Sequence, residues 1–119
     1  MAERTFIEEV LAHAIRIEAS DVHISEGEYI AFRVHGDLKK VEDGGIVTPE
    51  IAERLAKELF PDVDKLAAFK EHHDADFAYV AQDGTPFRVN GFYKLGKTSF
   101  VLRRIEREAK KLEDLGVPE

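Results

Sequence analysis

The string Gly91-Phe92-Tyr93-Lys94-Leu95-Gly96-Lys97-Thr98 has the spelling of a phosphate-binding loop: Gly, four residues, then Gly-Lys-Thr. In such a loop a strand leads into backbone N–H groups that cradle phosphate, and a helix begins immediately behind them. Here Ser99-Phe100-Val101-Leu102 comes next, and that is strand material. Only 21 residues follow Thr98, with no apolar strand ending in an aspartate that could serve magnesium. Phe92, Tyr93 and Leu95 are bulky where a backbone would have to approach closely. The spelling therefore predicts a hairpin turn.

Three other groups could do chemistry. His72-His73-Asp74 with Asp76 has metal-ligand types. Adjacent histidines point in different directions, however, and no third nitrogen or sulfur ligand has suitable spacing, so a loop with two exposed histidines is expected. Asp21, His23 and Ser25 share one face of a short strand. Without a nucleophile and a pocket they predict a hydrogen-bonded structural pair rather than acid/base catalysis. Arg88 and Arg103 each interrupt an apolar strand, Phe87-Arg88-Val89 and Val101-Leu102-Arg103-Arg104-Ile105. Arginine suits phosphate because its planar fork is always charged and binds two oxygens. Alternation turns Arg88 away from the core, but it does not choose between Arg103 and Arg104. Surface arginines in local salt bridges are the competing account.

These residues need a scaffold. A chain of 119 residues, 44% hydrophobic and 34% charged, predicts one globular domain. It has no apolar run of membrane-spanning length. The acids Glu3, Glu8, Glu9 and Glu18 argue against a signal peptide. Cysteine is absent, which excludes disulfides and thiolate zinc sites and fits a reducing compartment. The net charge of −7 argues against nucleic acid as a partner. The charge is uneven. Gly84 to Lys111 holds eight basic residues against two acids, a net +6 that leaves −13 for the rest. Such a window points to a local anion or an acidic protein surface.

Thr5 with Glu8 forms a capping box before an amphipathic helix reaching about Glu18. Strands follow at Asp21–Ser25, Tyr29–Val34 and Leu38–Val41. Thr48 and Pro49 open a helix that Phe60-Pro61 ends, with a buried stripe of Ile51, Leu55 and Leu59. A short helix runs from Asp64 to about His72. Strands Asp76–Ala81, Phe87–Tyr93 and Ser99–Ile105 precede a charged helical tail, Glu106–Leu115. Consecutive strands with helices grouped between them predict an α+β fold with a mostly antiparallel sheet, in the order α-βββ-αα-βββ-tail.

Six segments then occur in one order: Ala19-Ser20-Asp21-Val22-His23-Ile24-Ser25, Phe32-Arg33-Val34-His35-Gly36-Asp37-Leu38, Asp76-Phe77-Ala78-Tyr79, Phe87-Arg88-Val89-Asn90, Val101-Leu102-Arg103-Arg104-Ile105 and Leu112-Glu113-Asp114-Leu115-Gly116-Val117-Pro118. With these the chain resembles the N-terminal PAS-like domain of the type II/type IV secretion ATPase superfamily. Within it the chain looks most similar to the retraction ATPases of twisting-motility pili. It departs from the family pattern at His35, where Asp is usual, and at Glu106, where Pro is usual.

The resemblance implies a regulatory and assembly domain at 1–105, then a charged linker at 106–119 leading to a RecA-like motor domain. The parent would be a hexamer binding ATP and magnesium. Its partners would be the motor domains of the same and neighbouring subunits and an inner-membrane platform protein. It would sit in the cytoplasm at the inner-membrane face. The resemblance also implies that Arg88 and Arg103 reach nucleotide phosphate. Their separation of 15 residues matches the family's spacing and selects Arg103 over Arg104. This domain alone would bind no cofactor or metal and hydrolyse no ATP. The alternative is a stand-alone PAS-like module with an internal apolar pocket for a small ligand or a partner protein.

Overall fold

Helix α1 (Phe6–Arg16) begins where Thr5 accepts a hydrogen bond from the Glu8 N–H at 3.2 Å. The computed structural model describes residues 5–42 and 45–105. Three strands follow, β1 (Asp21–Ser25), β2 (Ala31–Val34) and β3 (Asp37–Lys40). Then come α2 (Pro49–Leu59) and α3 (Val63–His72), and finally β4 (Asp74–Val80), β5 (Pro86–Lys94) and β6 (Lys97–Arg104). The expected order of elements stands. The helical tail Glu106–Leu115, the linker 106–119, and Arg107, Lys110 and Lys111 of the basic window lie outside the described residues.

The boundaries move for local reasons. Strand β2 starts two residues late because Tyr29 bridges Ile46 instead of joining the ladder. Strand β3 starts at Asp37 because His35 and Gly36, at φ 52° and 85°, close a two-residue turn against the Val34–Asp37 pair. Helix α3 starts at Val63 because Asp62 caps it, accepting from the Lys65 N–H at 2.8 Å. Strand β4 begins at Asp74, directly after α3, and β6 begins at Lys97.

The six strands form one antiparallel sheet in the order β3-β2-β1-β6-β5-β4. One face is covered. Val22, Ile24, Phe32, Phe87, Val89, Phe100 and Leu102 pack with Ile7 and Leu11 of α1, Leu55 and Leu59 of α2, and Leu66 and Phe69 of α3. Ile51, expected in the α2 stripe, is only half-buried, and Ala52 and Ala56 take its place. At one end, Phe60 meets Phe69 at 5.2 Å and Phe69 meets Phe100 at 5.7 Å between ring centres. Gly91 faces these rings. A Cβ there would sit 3.0 Å from Phe100 Cε1 and 3.1 Å from Phe69 Cε1.

Two carboxylates tie α1 to its neighbours. Glu58 of α2 accepts from the Ile7 N–H at 2.8 Å, filling a helix-start donor that has no partner within α1. Glu8 does not close the expected capping box. It turns inward, is buried, and accepts from the Gln82 N–H at 3.0 Å and from the Tyr79 hydroxyl. Burial, then the hydrogen bond to Glu8 and the charges of Glu8 and Glu58, push the Tyr79 phenol well above its ordinary 10.0.

Gly91→Ala is expected to lower stability by about 1–3 kcal/mol through overpacking, read as a lower urea midpoint at unchanged slope. The folded state holds the Tyr79 proton more tightly than the unfolded chain does. That contribution is whole below the unfolded value and fades as pH rises towards the folded one. Tyr79→Phe should therefore cost about 1–3 kcal/mol near neutral pH. It should also flatten the decline in stability above pH 10.0, followed by urea titration across the alkaline range.

Candidate functional site on the open sheet face

Among the described residues the second face of the sheet carries no helix, and strand register decides what stands on it. Opposite residues of an antiparallel pair share a face. Arg33 pairs with Asp21, Asp21 with Arg103, Arg103 with Arg88, and Arg88 with Ala78. The next row is Ala31, His23, Val101, Asn90 and Asp76. Three arginines and two aspartates thus occupy neighbouring rows of five strands. Arg104 belongs to the other face, opposite Phe87.

Each arginine on this face rests on a carboxylate. Arg88 grips Asp76 with both prongs, Nε donating to Oδ1 at 3.1 Å and Nη2 to Oδ2 at 2.7 Å. Those hydrogen bonds hold the Asp76 carboxyl below its ordinary 3.8. Arg103 Nε donates to Asp21 Oδ1 at 3.2 Å, and Arg33 Nε stands 3.5 Å from Asp21 Oδ2. The settings differ. The side chains of Arg88 and Arg103 are 68% and 71% exposed, while Asp21 is only 8% exposed. Between the two arginines a shallow concavity of about 300 Å³ is lined by Asp76, Arg88, Asn90, Val101 and Arg103. Two always-charged forks on a rigid sheet can bind a multivalent oxyanion.

The other sequence candidates are placed differently. The Gly91–Thr98 string is a hairpin: Lys94 pairs with Lys97 across Leu95 and Gly96, whose φ of 53° and 79° are those of a tight two-residue turn. Strand β6, not a helix, comes directly behind it, and Gly91 is a core contact. Asp21 and His23 form no hydrogen-bonded pair, contrary to expectation. Two positions along a strand lie about 7 Å apart, too far for the carboxylate, which the arginines take. His23 Nε2 is buried without a hydrogen-bond partner among the described residues. His72 ends α3 and His73 caps it, its ring stacked on Tyr93 at 4.4 Å, so the expected loop is a helix terminus. Among the described residues no cluster of three or more His, Cys, Asp or Glu could hold a metal ion. None of their helices is long and apolar enough to cross a membrane. The apolar concavity of about 210 Å³ between α1 and the β2–β3 hairpin opens to solvent and is not internal.

Arg33 was not singled out from sequence, and Asp21 and Asp76 were read for other roles. Only the register puts them in line with the two arginines.

With this geometry, the chain compares with known proteins as follows. No protein-family model matches it. It is 30% identical over 116 residues to the type IV pilus retractation ATPase PilT of Pseudomonas aeruginosa, covering 95% of this chain and 32% of that protein. It is 29% identical over 112 residues to the type IV pilus ATPase PilU of the same organism, covering 94% and 29%. A crystal structure of the pilus retraction motor PilT with bound ADP superposes over 98% of this chain and 34% of that one, with TM-score 0.79 and 29% identity. The chain is homologous to the N-terminal domain of the type II/type IV secretion ATPases. It spans about a third of the length of the relatives it matches, among which PilT shares both its sequence pattern and its fold.

Arg88→Gln should bring the Asp76 carboxyl back up towards 3.8, followed by carbon NMR of the side-chain carboxyl. An unmoved titration would mean that the pair does not form in solution.

Proposed function

We propose that this chain is the N-terminal regulatory and assembly domain of a hexameric secretion or type IV pilus ATPase. Residues 1–105 form the domain, and 106–119 lead to a RecA-like motor. The open sheet face turns towards the motor domain of its own or a neighbouring subunit. There Arg88 and Arg103 meet the phosphates of ATP held with magnesium by the motor. Charge that builds on the terminal phosphate during transfer is stabilised by the two guanidinium groups, and its loss after hydrolysis releases them. Through that contact the domain senses the nucleotide state and rotates against the motor. The assembly works in the cytoplasm, at the inner-membrane face, against a membrane platform protein.

The observation that supports this reading most directly is the register pairing of Arg88 with Arg103. The two arginines are register partners on neighbouring strands, each leaning on a carboxylate to its outer side, on a face that no helix among the described residues covers. Homology to pilus ATPases favours a motor domain as the surface that face would turn towards.

In the full-length ATPase carrying this domain, Arg88→Ala and Arg103→Ala should each lower kcat about tenfold or more. Steady-state ATP hydrolysis, with ring assembly checked by light scattering, measures this. Unchanged kcat in assembled rings would overturn the phosphate role of the residue replaced.

A further inference from the structure

The two phosphate-directed arginines are not held alike. Arg88 rests on Asp76, which is 48% exposed and has no other cation among the described residues. When Arg88 leaves, water solvates that carboxylate. Arg103 rests on Asp21, which is 8% exposed. A buried carboxylate stripped of its only counter-charge is strongly disfavoured, so a sole partner of Asp21 would be locked in place. Asp21 has a second partner. Strand β1 lies between β2 and β6, and the register sets Arg33 opposite Asp21 on one side and Arg103 on the other. The two cations take different oxygens, Oδ2 and Oδ1. Arg33 is also anchored, its Nη1 donating to the Gly36 carbonyl at 3.1 Å. Arg103 is attached through Nε alone and is 71% exposed.

We propose that Arg33 and Asp21 are a positioning pair for Arg103. Arg33 keeps the buried carboxylate neutralised, so Arg103 can exchange Asp21 for a phosphate oxygen without stranding a charge. This rests on the phosphate reading above. It assigns Arg33 no contact with phosphate; its effect passes entirely through Asp21.

The test uses the 119-residue chain and sodium tripolyphosphate, with the Arg88 and Arg103 Nε–H signals followed by NMR. Arg33→Gln makes Arg103 the sole counter-charge and should weaken binding at Arg103 about a hundredfold or more, the scale of leaving a buried charge unpaired. Asp21→Asn alone should tighten it. Arg33→Gln combined with Asp21→Asn should recover at least the original affinity, because no charge remains to be stranded. An equal loss in the single and double variants would make Arg33 a direct phosphate contact and overturn the proposal. So would an Arg33→Gln variant that binds unchanged. Should Arg33→Gln fail to fold, Asp21→Asn decides, and unchanged or weaker binding refutes the exchange. If neither arginine signal of the original chain responds to tripolyphosphate, the phosphate reading falls and takes this one with it.

Discussion

The sheet is joined at one seam. Strands β1, β2 and β3 lie within residues 21–40, and β4, β5 and β6 within residues 74–104. Only the β1–β6 pairing, Asp21 to Arg103 through Ser25 to Ser99, connects the two sets. The pairing places Val22 beside Leu102 and Ile24 beside Phe100, so the core of both halves becomes one core. The same register sets Asp21 beside Arg103 on the opposite face. A slip of one residue would reverse every side chain of a strand. The apolar core and the row of charges are therefore specified together.

One covered face and one open face follow from the connections. The α2–α3 segment bridges β3 to β4 across a single side of the sheet, and α1 is tied there to α2 through Glu58 and to the end of β4 through Glu8. These two carboxylates do structural tasks inside the helical layer, filling backbone donors that would otherwise be buried unpaired. The carboxylates of the open face do something different. Asp21 and Asp76 neutralise arginines without enclosing them, which leaves the guanidinium groups solvated and geometrically ready.

Much of this was readable in the residues. Thr48-Pro49 and Thr5 marked helix starts, and the Gly91–Thr98 string marked a hairpin turn, because caps and tight turns rest on local chemistry. Period-two alternation turned Arg88 outward. What could not be read was pairing between strands. Asp21 looked like a partner for His23, two residues away, because its true partners stand 12 and 82 positions along the chain. Arg103 and Arg104 could not be separated while apolar residues flanked both. Glu8 had the spacing of a capping box, and the hydroxyl of half-buried Tyr79 on β4 drew it away. The phosphate-loop spelling illustrates the converse. Its first glycine is required by two phenylalanine rings and its second by a turn, so the pattern arises from packing alone.

The strand order also carries a temporal consequence. As the chain is synthesised, β6 emerges after every other strand, yet its place is in the middle of the sheet, between β1 and β5. Until then the strands present fall into a three-stranded set, β3-β2-β1, and a two-stranded set, β5-β4, each with an unpaired edge waiting for the same strand. Their common core cannot close early, because Phe100 and Leu102 pair with Ile24 and Val22 on one side and with Gly91 and Val89 on the other. Completion is a single late insertion linking residues some 80 positions apart, the kind of non-local step that sets the pace of folding.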